Sequence, residues 1–154
     1  MQRTLHHEQF VPALIDDVWD FFSSPKNLDA LTPANLKFQI VTPNLGKMYQ
    51  GQLIAYRISM FPGVWMKWLT EIRHVREREY FVDEQRFGPY QFWYHEHLFE
   101  SVPGGVRMTD RVTYRVGFGP FGWIAHRLFV GSMLRKIFAY RTEAVERLFP
   151  GKAA

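Results

Sequence analysis

Cysteine is missing from this chain of 154 residues. Its absence excludes disulfides, cysteine-based zinc sites and a thiol nucleophile. A reducing compartment suits such a chain, and a cytoplasmic location is the expectation. The opening residues, MQRTLHHEQF, lack the apolar core of a secretory signal. No apolar run approaches the ~18 residues of a membrane-spanning helix, so a soluble chain without stable membrane insertion is expected. Internal repeats, low-complexity tracts and linkers are absent as well, which leaves one domain over 1–154. Runs of one charge are also missing. The formal net charge is +4, yet the densest run, RHVRERE from Arg73 to Glu79, mixes both signs. It reads as a solvated strand face rather than a phosphate-tracking stripe, and nucleic acid is not an expected partner.

What is abundant is aromatic. Fourteen Phe, seven Tyr and five Trp exceed what a small core usually holds, so some should line a cavity or a contact surface. The order of elements is legible. TLHHEQFV (4–11) reads as a strand ending at Pro12, a residue suited to the first turn of a helix. PALIDDVWDFFSS then sets Leu14, Val18, Phe21 and Phe22 at helical spacing, and Ser24-Pro25 stops it. KNLDALT reads as a second short helix ended by Thr32-Pro33. Strand patterns follow at 36–42, at 49–60, after a turn at Pro62-Gly63, at 79–85, from Gln91 to Glu100, and at 106–116. The last alternates most cleanly, with Val106, Met108, Asp110, Val112 and Tyr114 on one face. A long helix from about Trp123 to Phe149 carries Trp123, Val130, Leu134, Ile137, Phe138, Val145 and Leu148 on one arc. Short hairpin connections imply an antiparallel, curved sheet of seven strands packed on that helix: an α+β fold.

This element order resembles the START/SRPBCC superfamily, the helix-grip fold of birch-pollen-allergen-like and polyketide cyclase/dehydrase-like proteins. SSPKNLDALTP, FVDEQRFGPYQFWYHEHLFE and GGVRMTDRVTYRV look like an uncharacterised bacterial SRPBCC branch. The resemblance covers nearly the whole chain. It implies a cavity between sheet and long helix, usually for an apolar or amphipathic small molecule, and it implies no cofactor.

Asp110 is the anomaly, a carboxylate on the apolar face of its strand, where it needs pairing or protonation. His95 and His97 share one face of their strand. A four-residue loop, Ser101 to Gly104, pairs Glu100 with Gly105 and sets His95 opposite Asp110 and His97 opposite Met108. A five-residue loop would turn both histidines to solvent. The first register is favoured, because it puts Trp93 and Phe99 inside and Glu96 and Glu100 outside.

In that register His95 and Asp110 are the candidate catalytic pair, base and orienting group, for a cyclase/dehydratase or isomerase. His97, Trp68, Trp93, Met108, Tyr114, Leu134 and Phe138 are candidate ligand-binding wall residues. Arg141 joins them from the apolar arc of the last helix; it can reach inward toward Asp110, although snorkelling outward along its stem is the favoured arrangement. Asp83 and Gln85 can add to the polar patch. His-x-His with Asp110 is a conceivable metal set, but strand histidine pairs are common without metal, and none is assigned. The apolar loop from Met60 to Trp65 is expected to fold over the cavity mouth or onto a neighbour, rather than to engage a partner or membrane. His6, His7, His74 and His126 carry no spacing signal. The reading is therefore binding of a small apolar or amphipathic molecule, with the enzyme and a cavity-free interaction module as alternatives.

Overall fold

Strict alternation makes most of this chain a sheet whose two faces meet different surroundings. The computed structural model describes residues 2–61, 63–117 and 129–151, apart from the side chains of Met60 and Phe61. Its strands are β1 (Arg3–Val11), β2 (Gln39–Ile40), β3 (Leu53–Phe61), β4 (Val64–Arg76), β5 (Tyr80–Phe87), β6 (Phe92–Val102) and β7 (Gly105–Arg115). They form one seven-stranded antiparallel sheet in the order β1-β7-β6-β5-β4-β3-β2. Helix α1 (Ile15–Phe22) and two 3₁₀ segments, Pro25–Leu31 and Ala34–Leu36, follow β1; helix α2 (Gly131–Leu148) ends the fold. No helix among the described residues is long and apolar enough to cross a membrane.

Several boundaries differ from the sequence expectation for local reasons. Pro12 lies before α1 rather than in its first turn, and the short segment at Pro25–Leu31 is 3₁₀ rather than α. The strand expected at 36–42 pairs only over Gln39–Ile40, because Ala34–Leu36 is still helical and Lys37 adopts a left-handed φ of 42°. Trp123, the expected start of the last helix, lies outside the described residues, and Leu148, placed on its apolar arc, is exposed.

The β6–β7 hairpin is the main correction. Its loop is Pro103-Gly104, with Val102 paired to Gly105, rather than four residues long. Proline fixes φ for the first turn position, and Gly104 takes the second at φ +85°, where a side chain would be strained. The tight turn slides the register by two residues, so His97 faces Asp110 and His95 faces Val112. A shift of two keeps the parity, and both histidines still point inward.

Inside, two aromatic clusters meet. One gathers Val11, Val18, Trp19, Phe22, Phe81, Phe99, Val106, Met108 and Val145 beneath α1 and α2. The other holds Ile58, Trp68, Tyr90, Trp93, Val112, Tyr114, Leu134 and Phe138. The outer face is charged as the mixed run at 73–79 implies: Arg73 and Arg86 both pair with Glu71 and Glu84, and Arg76 pairs with Glu79.

Candidate functional site

Strands β4, β5 and β6 send side chains of the same parity inward toward α2, and between them lies a cavity of about 180 Å³. Its apolar walls include Ile54, Ile58, Trp68, Tyr90, Trp93, Leu134 and Phe138; Thr70, Asp83, His95, His97 and Arg141 supply the polar part. Trp68 packs edge-on against Trp93 and Tyr90 and stacks on Tyr56, with centroids 5.4, 5.6 and 5.6 Å away. The Tyr56 hydroxyl hydrogen-bonds Thr70 Oγ1 at 3.0 Å, and burial pushes its pKa up, so it stays a neutral phenol.

At the junction of the two aromatic clusters sits a buried polar box. Oδ1 of Asp110 lies 2.9 Å from Nε2 of His95, 2.9 Å from Nδ1 of His97 and 3.4 Å from Nη2 of Arg141. Oδ2 of Asp83 lies 2.8 Å from Nε2 of His97 and 3.4 Å from Nδ1 of His95. Asp110 has no exposed surface, and His95 and His97 are each 5 % exposed. The imidazole centroids are 3.7 Å apart, and His97 stacks on Phe81 at 4.1 Å.

Protonation follows from this geometry. Burial alone would raise the Asp110 pKa, but the Arg141 guanidinium and the two imidazoles hold it well below the ordinary carboxylate range. Asp83 is likewise lowered: burial is outweighed by His95 and His97. Both carboxylates are therefore acceptors, and the ring nitrogens facing Asp110 donate. Burial would lower His97, yet its hydrogen bonds to Asp110 and Asp83 raise it. Burial and the neighbouring His97 charge lower His95. His97 as imidazolium with Arg141 balances the two carboxylates, which is how a buried cluster avoids net charge. His95 is then neutral, with Nε2–H held by Asp110 and the Nδ1 lone pair turned toward Asp83. Nη2 of Arg141 also lies 3.3 Å from Nδ1 of His97; both groups donate, so the approach reflects their shared acceptor.

The candidate residues divide in this frame. His95, His97, Trp68, Trp93, Leu134, Phe138 and Arg141 line the cavity. Arg141 does not snorkel outward; it is 7 % exposed and lies over Phe22 and Phe138 with its head at Asp110. Asp110 sits behind the histidines, outside the walls. Met108 and Tyr114 are buried, but the cavity does not reach them: Met108 packs with Trp19 and Phe99 in the closed cluster, and Tyr114 lies behind Trp93 and Tyr90. Gln85 is outside the box, but its amide accepts from the Tyr90 backbone N–H and donates to the Tyr90 carbonyl, fixing a wall ring. That fold-back requires Gly88, where a Cβ would stand 2.5 Å from Gln85 Oε1. Of the apolar loop from Met60 to Trp65, Pro62 and the side chains of Met60 and Phe61 lie outside the described residues; Val64 and Trp65 are exposed, and Arg57 covers the Trp65 ring at 4.9 Å.

Asp83 is the site residue given least weight by the sequence, although FVDEQ sets it on the same strand face as Phe81. Tyr56 and Thr70 carried no signal beyond β periodicity. His7 has a structural part, hydrogen-bonding Thr142 of α2 at 2.9 Å.

No protein-family model matches this chain, and no curated protein does. Solved structures do. Norcoclaurine synthase from Thalictrum flavum, in complex with dopamine and hydroxybenzaldehyde, superposes with a TM-score of 0.68 at 16% identity over 100% of this chain and 90% of that one. This is the helix-grip fold. Protein CV1439 from Chromobacterium violaceum gives 0.73 at 11% identity, covering 95% of this chain and 96% of that chain. Ara h 8.0201 gives 0.60 at 18%, covering 94% and 98%.

Proposed function

We propose that this helix-grip chain binds a small apolar or amphipathic molecule, of one to two rings, in the cavity between sheet and α2. One observation carries the reading: an aromatic-walled space of about 180 Å³ ends on a buried His–Asp–Arg box. An apolar cavity of ~150 Å³ accepts a benzene, so the space suits a ligand on that scale. The apolar body would lie among Trp68, Trp93 and Leu134, with one polar atom toward His95 or Asp83. The complex of norcoclaurine synthase with two single-ring aromatic compounds is consistent with this size class. The same reading assigns the chain to the START/SRPBCC superfamily. The test is titration with 2-naphthol, followed by naphthol fluorescence. Saturable one-to-one binding that weakens at least tenfold in Ile58→Phe, which fills the wall, supports it; binding equal in both proteins refutes it.

A second reading is favoured by the 2.9 Å contact of His95 with Asp110. Asp110 fixes the Nε2–H tautomer, leaving Nδ1 as a base inside the cavity, as proton abstraction in an isomerase or cyclase/dehydratase requires. Deuterium exchange into the α position of 2-tetralone in D₂O, followed by proton NMR, reads this directly. Wild type should exceed His95→Ala by about 10²-fold or more; equal rates remove catalysis by His95.

A further inference from the structure

The polar box has a front and a back, and the difference points to more than hydrogen bonding. On the back, one oxygen of Asp110 accepts from Nε2 of His95 and from Nδ1 of His97, both at 2.9 Å, with Arg141 Nη2 beside it. The two rings are thus held through opposite nitrogens. Their remaining nitrogens, Nδ1 of His95 and Nε2 of His97, converge on Oδ2 of Asp83 at 3.4 and 2.8 Å. Asp83, His95 and His97 line the cavity, whereas Asp110 does not. One ligand atom from each of the three lies within 4.8 Å of the others.

We propose that Asp83, His95 and His97 form a binding site for a divalent transition-metal ion, with Asp110 and Arg141 as the groups that hold the two imidazoles in place. Ligand atoms ~2.0 Å from a tetrahedral zinc are about 3.3 Å apart, so the 3.4 Å contact fits, the 2.8 Å contact opens by about half an ångström, and the two ring nitrogens, held within the 4.8 Å span of the set, settle to the same spacing. A carboxylate that accepts the rear N–H of a ligating histidine is the usual support of such a site, and here one carboxylate serves both rings. Two imidazoles and one carboxylate suit zinc, iron, cobalt or nickel better than magnesium or calcium. In the metal-free state the Nε2 proton of His97 bridges to Asp83; on binding, that proton leaves to solvent and the ion takes its place. The ion then adds one net positive charge to the box, and its remaining positions face the cavity. They would take water or an anionic oxygen of a bound molecule. This set differs from His-x-His with Asp110: Asp110 is turned to the wrong side of both rings to share an ion with them. The open positions bear on the cavity reading, but the ion's affinity for its three protein ligands is independent of it.

The test uses untagged, chelator-treated full-length chain titrated with cobalt(II) alone, followed by visible absorption and calorimetry, with zinc as competitor. One equivalent should bind, with ligand-field bands that zinc abolishes. Asp83→Ala should lose at least tenfold in affinity, and Asp110→Asn about 10–100-fold while keeping the one-to-one stoichiometry. His6→Gln, on the exposed side of β1, should bind as wild type does. Folded wild-type protein that takes up no stoichiometric cobalt overturns the proposal, whatever the variants do; so does folded Asp83→Ala with unchanged affinity. Naphthol binding without cobalt binding overturns the metal site and leaves the cavity reading intact. Cobalt binding without naphthol binding supports the metal site and sinks the cavity reading.

Discussion

The two ends of the interior are built from the same residue types and differ in what covers them. Under α1, Trp19 meets Phe81 and Phe99 edge-on at 6.1 and 5.6 Å, Phe22 tilts against Phe99 at 5.6 Å, and Met108 fills the floor at 1 % exposure. Toward β3 and β4, Tyr56, Trp68, Tyr90 and Trp93 are just as aromatic, but among the described residues the helices leave open the space before them, which Phe22 and Phe81 border from the other end. Aromatic content alone therefore marks no cavity; the position of the covering helix decides which end closes. The charged box lies where the two ends meet, with His97 stacked on Phe81 of the closed end and His95 edge-on to Trp93 of the open end at 6.1 Å.

The sharpest break of this comparison is Asp110→Ala. It strands Arg141 and His97 without their shared acceptor at full burial, and the expected loss is about 3–5 kcal/mol in urea unfolding. A loss under 1 kcal/mol would mean that the box adds little to the boundary. Next come matched truncations of the two ends. Met108→Ala should cost about 2–5 kcal/mol, whereas Ile54→Ala at the cavity wall should fall below that range, because its side chain already borders open space. Equal losses would erase the distinction between the ends.

A pH series sharpens the same point. The Asp110 pKa is lowered on folding, so its contribution is present above its unfolded value, ~3.9, and is lost as pH falls through its folded value. The stability gap between wild type and Asp110→Asn, read from urea curves, should therefore narrow below about pH 4. A gap that stays constant to pH 2 would contradict the charged assignment. The smallest effect belongs to the outer face of the same strands: Glu96→Gln, which breaks the 3.6 Å pair with Arg111, should change stability by less than about 1 kcal/mol.

Much of this frame is readable from sequence, because strand parity is set by alternation alone. Val106, Met108, Asp110, Val112 and Tyr114 face inward as their pattern demands, and Glu96 turns outward. Parity is insensitive to the register: Pro103-Gly104 makes the β6–β7 turn two residues long, which slides the pairing by two and puts His97 rather than His95 directly across from Asp110, while both rings still reach its carboxylate. What the sequence leaves open is decided by neighbours across space. Arg141 lies on the expected helix arc, but only Asp110 opposite it determines that its head turns inward. Asp83 becomes a box residue through β5–β6 pairing, where it stands opposite His95. The register shift between Ile72 and His74 lets Val75 follow Ile72 toward the interior, a break in alternation that no single residue announces.

The central claim, that the open end is a binding cavity and the closed end is not, has one direct measurement. Two-dimensional NMR of the chain titrated with 2-naphthol should shift the indole signals of Trp68 and Trp93 in saturable fashion and leave that of Trp19 in place. Shifts spread equally over all three, or confined to the exposed Trp65, would contradict it.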